Sequence, residues 1–231
     1  VIPGTSGTSI GVISTTPQLT HYYTTSNNTV AVSQTTGGKK YLSFAAGGAS
    51  GVGSWIQSAG NAFPNITSFG YSWAAVFKYI NSPTGYLSPY GWFLDGYTYN
   101  YNAGRFWAAP VSSAEINGIN YSASQSWYGI TAGGLQTRGQ SGVLIVDVVA
   151  ITGTSAYIAS CIGSSTPTTG TFTIASVSYG TQPDANRTFR CFENFQGVTR
   201  PAMNAYEFAF YSSPLTSTDC QSTATALYNK W

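Results

Sequence analysis

Seven carboxylates are all the acid chemistry in this chain: Asp95, Glu115, Asp147, Asp184, Glu193, Glu207 and Asp219. Glycoside cleavage with retention needs two of them facing each other about 5 Å apart. Such a pair would have to come from distant segments, Glu115 with Glu193 or with Asp95. His21 is the single histidine, so a Ser-His-Asp or Cys-His relay would have to use it. It stands in a Ser/Thr-rich N-terminal stretch, a poor support for a held base. Zinc would require Cys161, Cys191, Cys220 and His21 together, with no short Cys-x-x-Cys pair among them. The expectation is a chain that does not react: no catalytic residue is assigned, and no cofactor.

Binding chemistry is better supplied. Aromatic faces stack on the C–H faces of pyranose rings, while amide and hydroxyl tips bond the sugar hydroxyls, and no charge is needed. Trp92, Tyr97, Tyr99, Tyr101 and Trp107 form the richest aromatic run and are the candidate ligand-binding residues; the competing role for the same rings is core filling. Asn27, Asn65, Asn120 and Asn186 each open an Asn-x-Ser/Thr sequon and are the candidate attachment points for glycans, although a chain this rich in Ser and Thr makes sequons by chance. Of the three cysteines, Cys161 and Cys191 lie in strand-like stretches and are the expected disulfide. Pairing of Cys191 with Cys220 is the alternative; otherwise Cys220 is a small buried hydrophobe.

The composition sets the class. Charged residues make up 7% of 231, against about 25% in an ordinary soluble domain, while aromatics reach 15%. A surface of hydroxyls, amides and rings suits an extracellular or virion-surface protein. The net charge of +2 is small, and Lys39-Lys40 and Arg187/Arg190/Arg200 are the nearest approach to a basic cluster. Phosphate-backbone binding needs more than that, so nucleic acid is not expected as a partner. No run of 18 apolar residues exists, so no membrane-spanning helix is expected. The chain starts at Val1, which leaves a removed leader and a piece of a longer chain both open.

Strands must position these residues. Residues 1–29 are rich in Ser, Thr, Gly and Pro and read as an extended N-terminal arm, in which Ile10–Ser14 could add to its own sheet edge or to a neighbour's. Residues 30–231 read as one domain without repeats. Tyr41–Ala45, Ser54–Gln57 and Trp127–Gly129 are short strands, and the glycines of 47–53 form a loop. Tyr71–Ile80 puts Tyr71, Trp73, Ala75, Phe77 and Tyr79 on one face. Tyr86–Trp107 holds two or three strands. Gly142–Ile151 is apolar on both faces and so central, with Asp147 inside it expected as a hydrogen-bonded structural acceptor or as a residue on the sheet's wet face, and Ala156–Cys161 its hairpin partner. Thr171–Ser178 and Thr188–Asn194 follow. Many short strands at this spacing predict an all-β, antiparallel sandwich (jelly roll).

The end of the chain is the most patterned part. Asn204–Tyr211 alternates, with Tyr206, Phe208 and Phe210 on one face and Ala205, Glu207 and Ala209 on the other. Pro214 stops the ladder. Thr216 and Asp219 have the spacing of a capping box, and Cys220, Ala224, Leu227 and Trp231 then form one stripe of a short helix. This ending resembles the closing segment of laminin-G-like domains of the concanavalin A-like lectin/glucanase superfamily, through Glu207, Tyr211, Leu215, Thr216, Asp219, Leu227, Tyr228 and Trp231. The match covers residues 204–231 and is loose elsewhere. The resemblance implies a sandwich with a helical tail. It also brings calcium into view, for which Asp95 or Asp184 with backbone carbonyls would be the site. Where the family often has an acid after an early strand, this chain has Ala46 or Gly47. The superfamily's hydrolase motif, E-x-D-x-x-E, is absent; Glu115-Ile116-Asn117 is its nearest fragment.

The expected function is a non-enzymatic adhesion module that recognises glycans. The alternative is a structural subunit of an extracellular filament or viral fibre, in which the N-terminal arm joins neighbouring copies. Glycoside hydrolysis comes third.

Overall fold

The computed structural model describes residues 8–10, 19–23, 30–44, 54–58, 70–81, 87–94, 105–109, 116–120, 127–130, 141–152, 155–173, 187–194, 202–211 and 213–231; side chains are described in 33–44, 72–81, 141–150, 157–171, 202–209, 211 and 213–231. In chain order the strands are β1 (Thr8–Ile10), β2 (Leu19–Tyr23), β3 (Val30–Gln34), β4 (Lys40–Phe44), β5 (Ser54–Ser58), β6 (Gly70–Tyr79), β7 (Leu87–Leu94), β8 (Arg105–Ala109), β9 (Ile116–Asn120), β10 (Trp127–Ile130), β11 (Leu144–Thr152), β12 (Ser155–Ile162), β13 (Thr168–Thr173), β14 (Arg187–Asn194) and β15 (Met203–Tyr211). The helix α1 spans Ser217–Lys230. One sheet runs β13-β12-β11-β6-β15-β4-β3 and the other β1-β2-β5-β14-β7-β8-β9-β10. Every described pairing is antiparallel, and the architecture is the expected sandwich with a short C-terminal helix.

The seven-stranded sheet follows from its sequence. β6 and β11 pair over their length, with Phe77 opposite Ile145 and Trp73 opposite Val149. Trp73, Phe77, Ile145 and Ile158 are large side chains closed off from solvent on the face turned to the second sheet. Val76, Val146, Val148, Ala150 and Ala159 occupy the opposite face, under the helix. Both faces of β11 are therefore covered, which is why it reads as a nearly continuous apolar run. Its one carboxylate, Asp147, is fully buried and accepts a 2.5 Å hydrogen bond from the hydroxyl of Ser160, its cross-strand partner on β12. At the far edge β3 turns into β4 through Gly38, at φ +81°, a conformation that costs glycine little. The turn closes on Thr35, whose amide donates to the Lys39 carbonyl at 2.8 Å.

The helix forms as its caps predict. The Thr216 hydroxyl accepts from the Asp219 amide at 3.1 Å, and the Asp219 carboxylate accepts from the Thr216 amide at 3.4 Å. Cys220 and Ala224 are buried in the cluster with Val76, Val148 and Ala159, and Leu227 and Trp231 pack at its margin. The segment before the helix is tied down by Ser72 on β6, whose hydroxyl accepts from the Leu215 amide at 2.7 Å.

The structure corrects the alternation expected for β15. Ala205 stands opposite Phe77 but Glu207 stands opposite Val76, so Tyr206 is an extra residue in a β-bulge. The bulge turns Tyr206 to the helix side, where it packs, like Ala209 and Tyr211, against the buried cluster under the helix, while Phe208 falls opposite Ala75 on the inner face. Tyr206 and Phe208 thus lie on different faces. The N-terminal stretch also takes a definite place: β1 pairs with β2, and β2 with β5, so the arm's described strands extend this chain's own eight-stranded sheet. β13 begins at Thr168, earlier than the expected Thr171, and 174–178 lie outside the described residues. β2, β3 and β9 carried no strong pattern of their own in the sequence.

Candidate ligand-binding surface

Of the five candidate binding residues, Trp92 falls on β7 and Trp107 on β8. Tyr97, Tyr99 and Tyr101 belong to the connection between those strands, outside the described residues. β7 and β8 are neighbours in the eight-stranded sheet, so the fold brings the two tryptophan-bearing strands together. Trp92 stands opposite Phe189 of β14, and Trp107 opposite Gly118 of β9. The register of β7 on β8 shifts between Leu87 and Tyr90, a local irregularity of the kind that re-aims side chains at binding edges.

The sequon residue Asn120 lies on β9, opposite Arg105 on one side and Trp127 on the other; Asn27, Asn65 and Asn186 are outside the described residues. The expected Cys161–Cys191 disulfide is corrected. Cys161 is a free, buried thiol in the seven-stranded sheet, on the face under the helix, whereas Cys191 belongs to β14 of the other sheet. A cysteine turned away from the opposite sheet cannot bridge to it. Its Sγ donates instead to the Ser165 carbonyl at 3.5 Å. Burial pushes this thiol up to about 11, with the Asp147 charge adding to the rise. Cys220, the second free thiol, is pushed up to about 11 by burial and by Asp219. Both are poor nucleophiles at neutral pH.

Asp147, Glu207 and Asp219, the carboxylates whose side chains are described, each have a partner inside the protein. Asp147 accepts from Ser160, and Asp219 completes the helix cap. Glu207 accepts from Lys230 at 2.6 Å and from the Trp231 indole N–H at 2.8 Å. Asp95, Glu115 and Asp184 lie outside the described residues, and Glu193 sits on β14 opposite Ser88. His21 is on β2, opposite Ile56. Among the described residues no group of three metal-ligating side chains gathers. Among them, too, no helix is long and apolar enough to cross a membrane.

Sequence reasoning missed one cluster. Tyr41, Tyr206 and Trp231 stack in a row, with ring centroids 5.1 and 5.2 Å apart. Lys39 and Lys230 place their ammonium groups 5.4 and 5.6 Å from the Trp231 ring centre, within cation–π range. Lys39 also donates to the Lys230 carbonyl. These contacts clasp the last turn of the helix to β4 and β15. The signal was hidden because the bulge, which no local pattern announces, is what delivers Tyr206 to this side.

No family model matches this chain, and no curated protein does. Solved structures do resemble it. The binding domain of botulinum neurotoxin DC, in complex with rat synaptotagmin II, superposes with a TM-score of 0.56 at 9% identity over 91% of this chain and 47% of that one. The receptor-binding domain of botulinum neurotoxin mosaic serotype C/D gives 0.55 at 8% identity over 98% and 52%. The chain thus spans about half the length of these toxin domains. The alginate lyase vAL-1 from Chlorella virus scores 0.49 at 11% identity, over 80% and 89%. At such identities the likeness to the toxin domains shows the fold alone, a β-sandwich.

Proposed function

We propose that this chain is a non-catalytic recognition module for glycans, carried on an extracellular or virion surface and belonging to the concanavalin A-like sandwiches. The observation that carries the reading is the division between the two sheets. Asp147, Glu207 and Asp219 are held by partners within the seven-stranded sheet and its helix, Glu193 lies on β14 of the other sheet, and the tryptophans expected to stack on sugars sit on its adjacent strands β7 and β8. Support comes also from a toxin of this fold, botulinum neurotoxin type C, whose uptake by cells depends on interaction with two ganglioside molecules. The reading needs no cofactor; calcium addition should leave binding unchanged unless Asp95 or Asp184 holds the ion. The test is a glycan array, followed by titration of any hit against Trp92→Ala and Trp107→Ala. Loss of one stacking ring should weaken binding about tenfold, near 1.4 kcal/mol. An array without a ligand, or substitutions without effect, would refute the reading.

A further inference from the structure

We infer that the face of the seven-stranded sheet beside the last turn of α1 is a second binding site, and that it takes an acidic saccharide, a sugar bearing carboxylate or sulfate. The site uses neither Trp92 nor Trp107, so its failure and the failure of the glycan reading are separable. The cations carry the argument. The chain has only four lysines, Lys39, Lys40, Lys78 and Lys230, and three of them share this face. Lys39 and Lys230 each hold an ammonium group near the Trp231 ring. Lys78 follows Val76 by two residues on β6, and Val76 belongs to the cluster under the helix, so the pleat puts Lys78 on that side. The described carboxylate among them is Glu207, held by Lys230 and the Trp231 indole. Asp219 caps the opposite end of α1, about 16 Å from Lys230 at the rise of a helix.

The ground between these cations has the chemistry of sugar recognition. Asn204 stands opposite Lys78, and Ser43 opposite Asn204, so an amide and a hydroxyl share one row across β6, β15 and β4. Two residues from Ser43 along β4, Tyr41 begins the row of rings that continues through Tyr206 to Trp231. Asn204, Ser43 and the three rings are half-buried rather than closed off, and Lys39 and Lys230 are exposed. Rings offer stacking surface to sugar C–H faces, the amide and hydroxyl bond sugar hydroxyls, and ammonium groups pair with a carboxylate or sulfate. The helix clasp uses Lys39, Lys230 and Glu207 but not Lys78, which stands apart from it on β6. Charge decides between an acidic and a neutral sugar: three ammonium groups face one carboxylate that is already engaged. Phosphate recognition favours the arginine fork, and Arg105, Arg187 and Arg190 all belong to the other sheet.

Calorimetric titration of the full chain tests this with three oligosaccharides of equal length: one of uronic acids, one sulfated and one neutral. An acidic probe should bind at least about tenfold more tightly than the neutral one, and more weakly as salt rises. Lys78→Gln lies outside the clasp and should weaken that binding about threefold; Lys39→Gln with Lys78→Gln should weaken it about tenfold or more. Both should melt at the wild-type temperature. Lys40 alternates with Tyr41 and so turns to the other face, and Lys40→Gln should leave binding unchanged, as should Trp92→Ala and Trp107→Ala. Failure of both acidic probes to bind overturns the inference, as does an equal loss in Lys40→Gln and Lys78→Gln. Loss in the tryptophan variants alone also overturns it, by moving the acidic sugar to the other sheet, while the glycan reading stands. A single-stranded oligonucleotide of equal charge, bound as tightly, overturns the choice of a saccharide.

Discussion

The two sheets of this molecule are built on different rules. The seven-stranded sheet is covered on both faces around β6 and β11, and its buried polar groups are tied: Asp147 to Ser160, and Ser72 to Leu215. Its strands are rich in Val, Ile and Ala. The eight-stranded sheet draws instead on Tyr, Trp and Gly, as in LSPYGWFL, INGIN and WYGI, and its β7–β8 pairing shifts register. The helix lies on the first sheet, against β11, β12 and β6. The contrast teaches a division of labour. The first sheet is held by dense, dry contacts, and under the proposed function the rings of the second are the ones that would meet a ligand.

The sharpest test of that division compares one ring from each sheet. Phe77→Ala, in the fully buried interior, should cost about 3–5 kcal/mol in denaturant unfolding. Trp107→Ala should cost under about 1 kcal/mol there, yet weaken glycan binding about tenfold. Equal stability losses would end the comparison. Next in size, Asp147→Leu removes the acceptor for Ser160 and should cost about 1–3 kcal/mol. Thr216→Ala deletes one half of the capping box, for a loss of about 1 kcal/mol seen in thermal melts. The smallest effect belongs to Glu207→Gln. Its ion pair with Lys230, which is 48% exposed, should contribute less than about 1 kcal/mol and fade with added salt.

Proton linkage gives a further check on the roofed sheet. Cys161 and Cys220 rise from 9.0 to about 11 on folding. Between those values the unfolded chain has lost the thiol protons and the folded chain keeps them. The stability these groups supply is therefore complete below pH 9 and drains away as the pH climbs towards 11. Denaturant midpoints measured from pH 8 to 11 should fall across that window. At pH 8, alkylation of these two thiols should need denaturant; rapid labelling of the native chain would show that the cluster under the helix is open.

Much of the scaffold was legible because its causes are local. The capping box of Thr216 and Asp219 is set by residues three apart, and the stripe from Cys220 to Trp231 by the helical repeat. The alternation of Trp73, Ala75, Phe77 and Tyr79, and the apolar run of β11, follow from which faces a strand must cover. These needed only the backbone's own periods and the exclusion of apolar surface from water. Other features depend on which segments meet. The extra residue at Tyr206 exists only relative to β6 beside it, and it alone brings Tyr206 to Tyr41 and Trp231. The partition of Cys161 and Cys191 between sheets, and the pairing of β1 with β2 and of β2 with β5, are likewise matters of strand order. Residue spacing along the chain determines periodicity and caps. Strand order is chosen by contacts between distant segments, whose energies no single stretch of sequence contains.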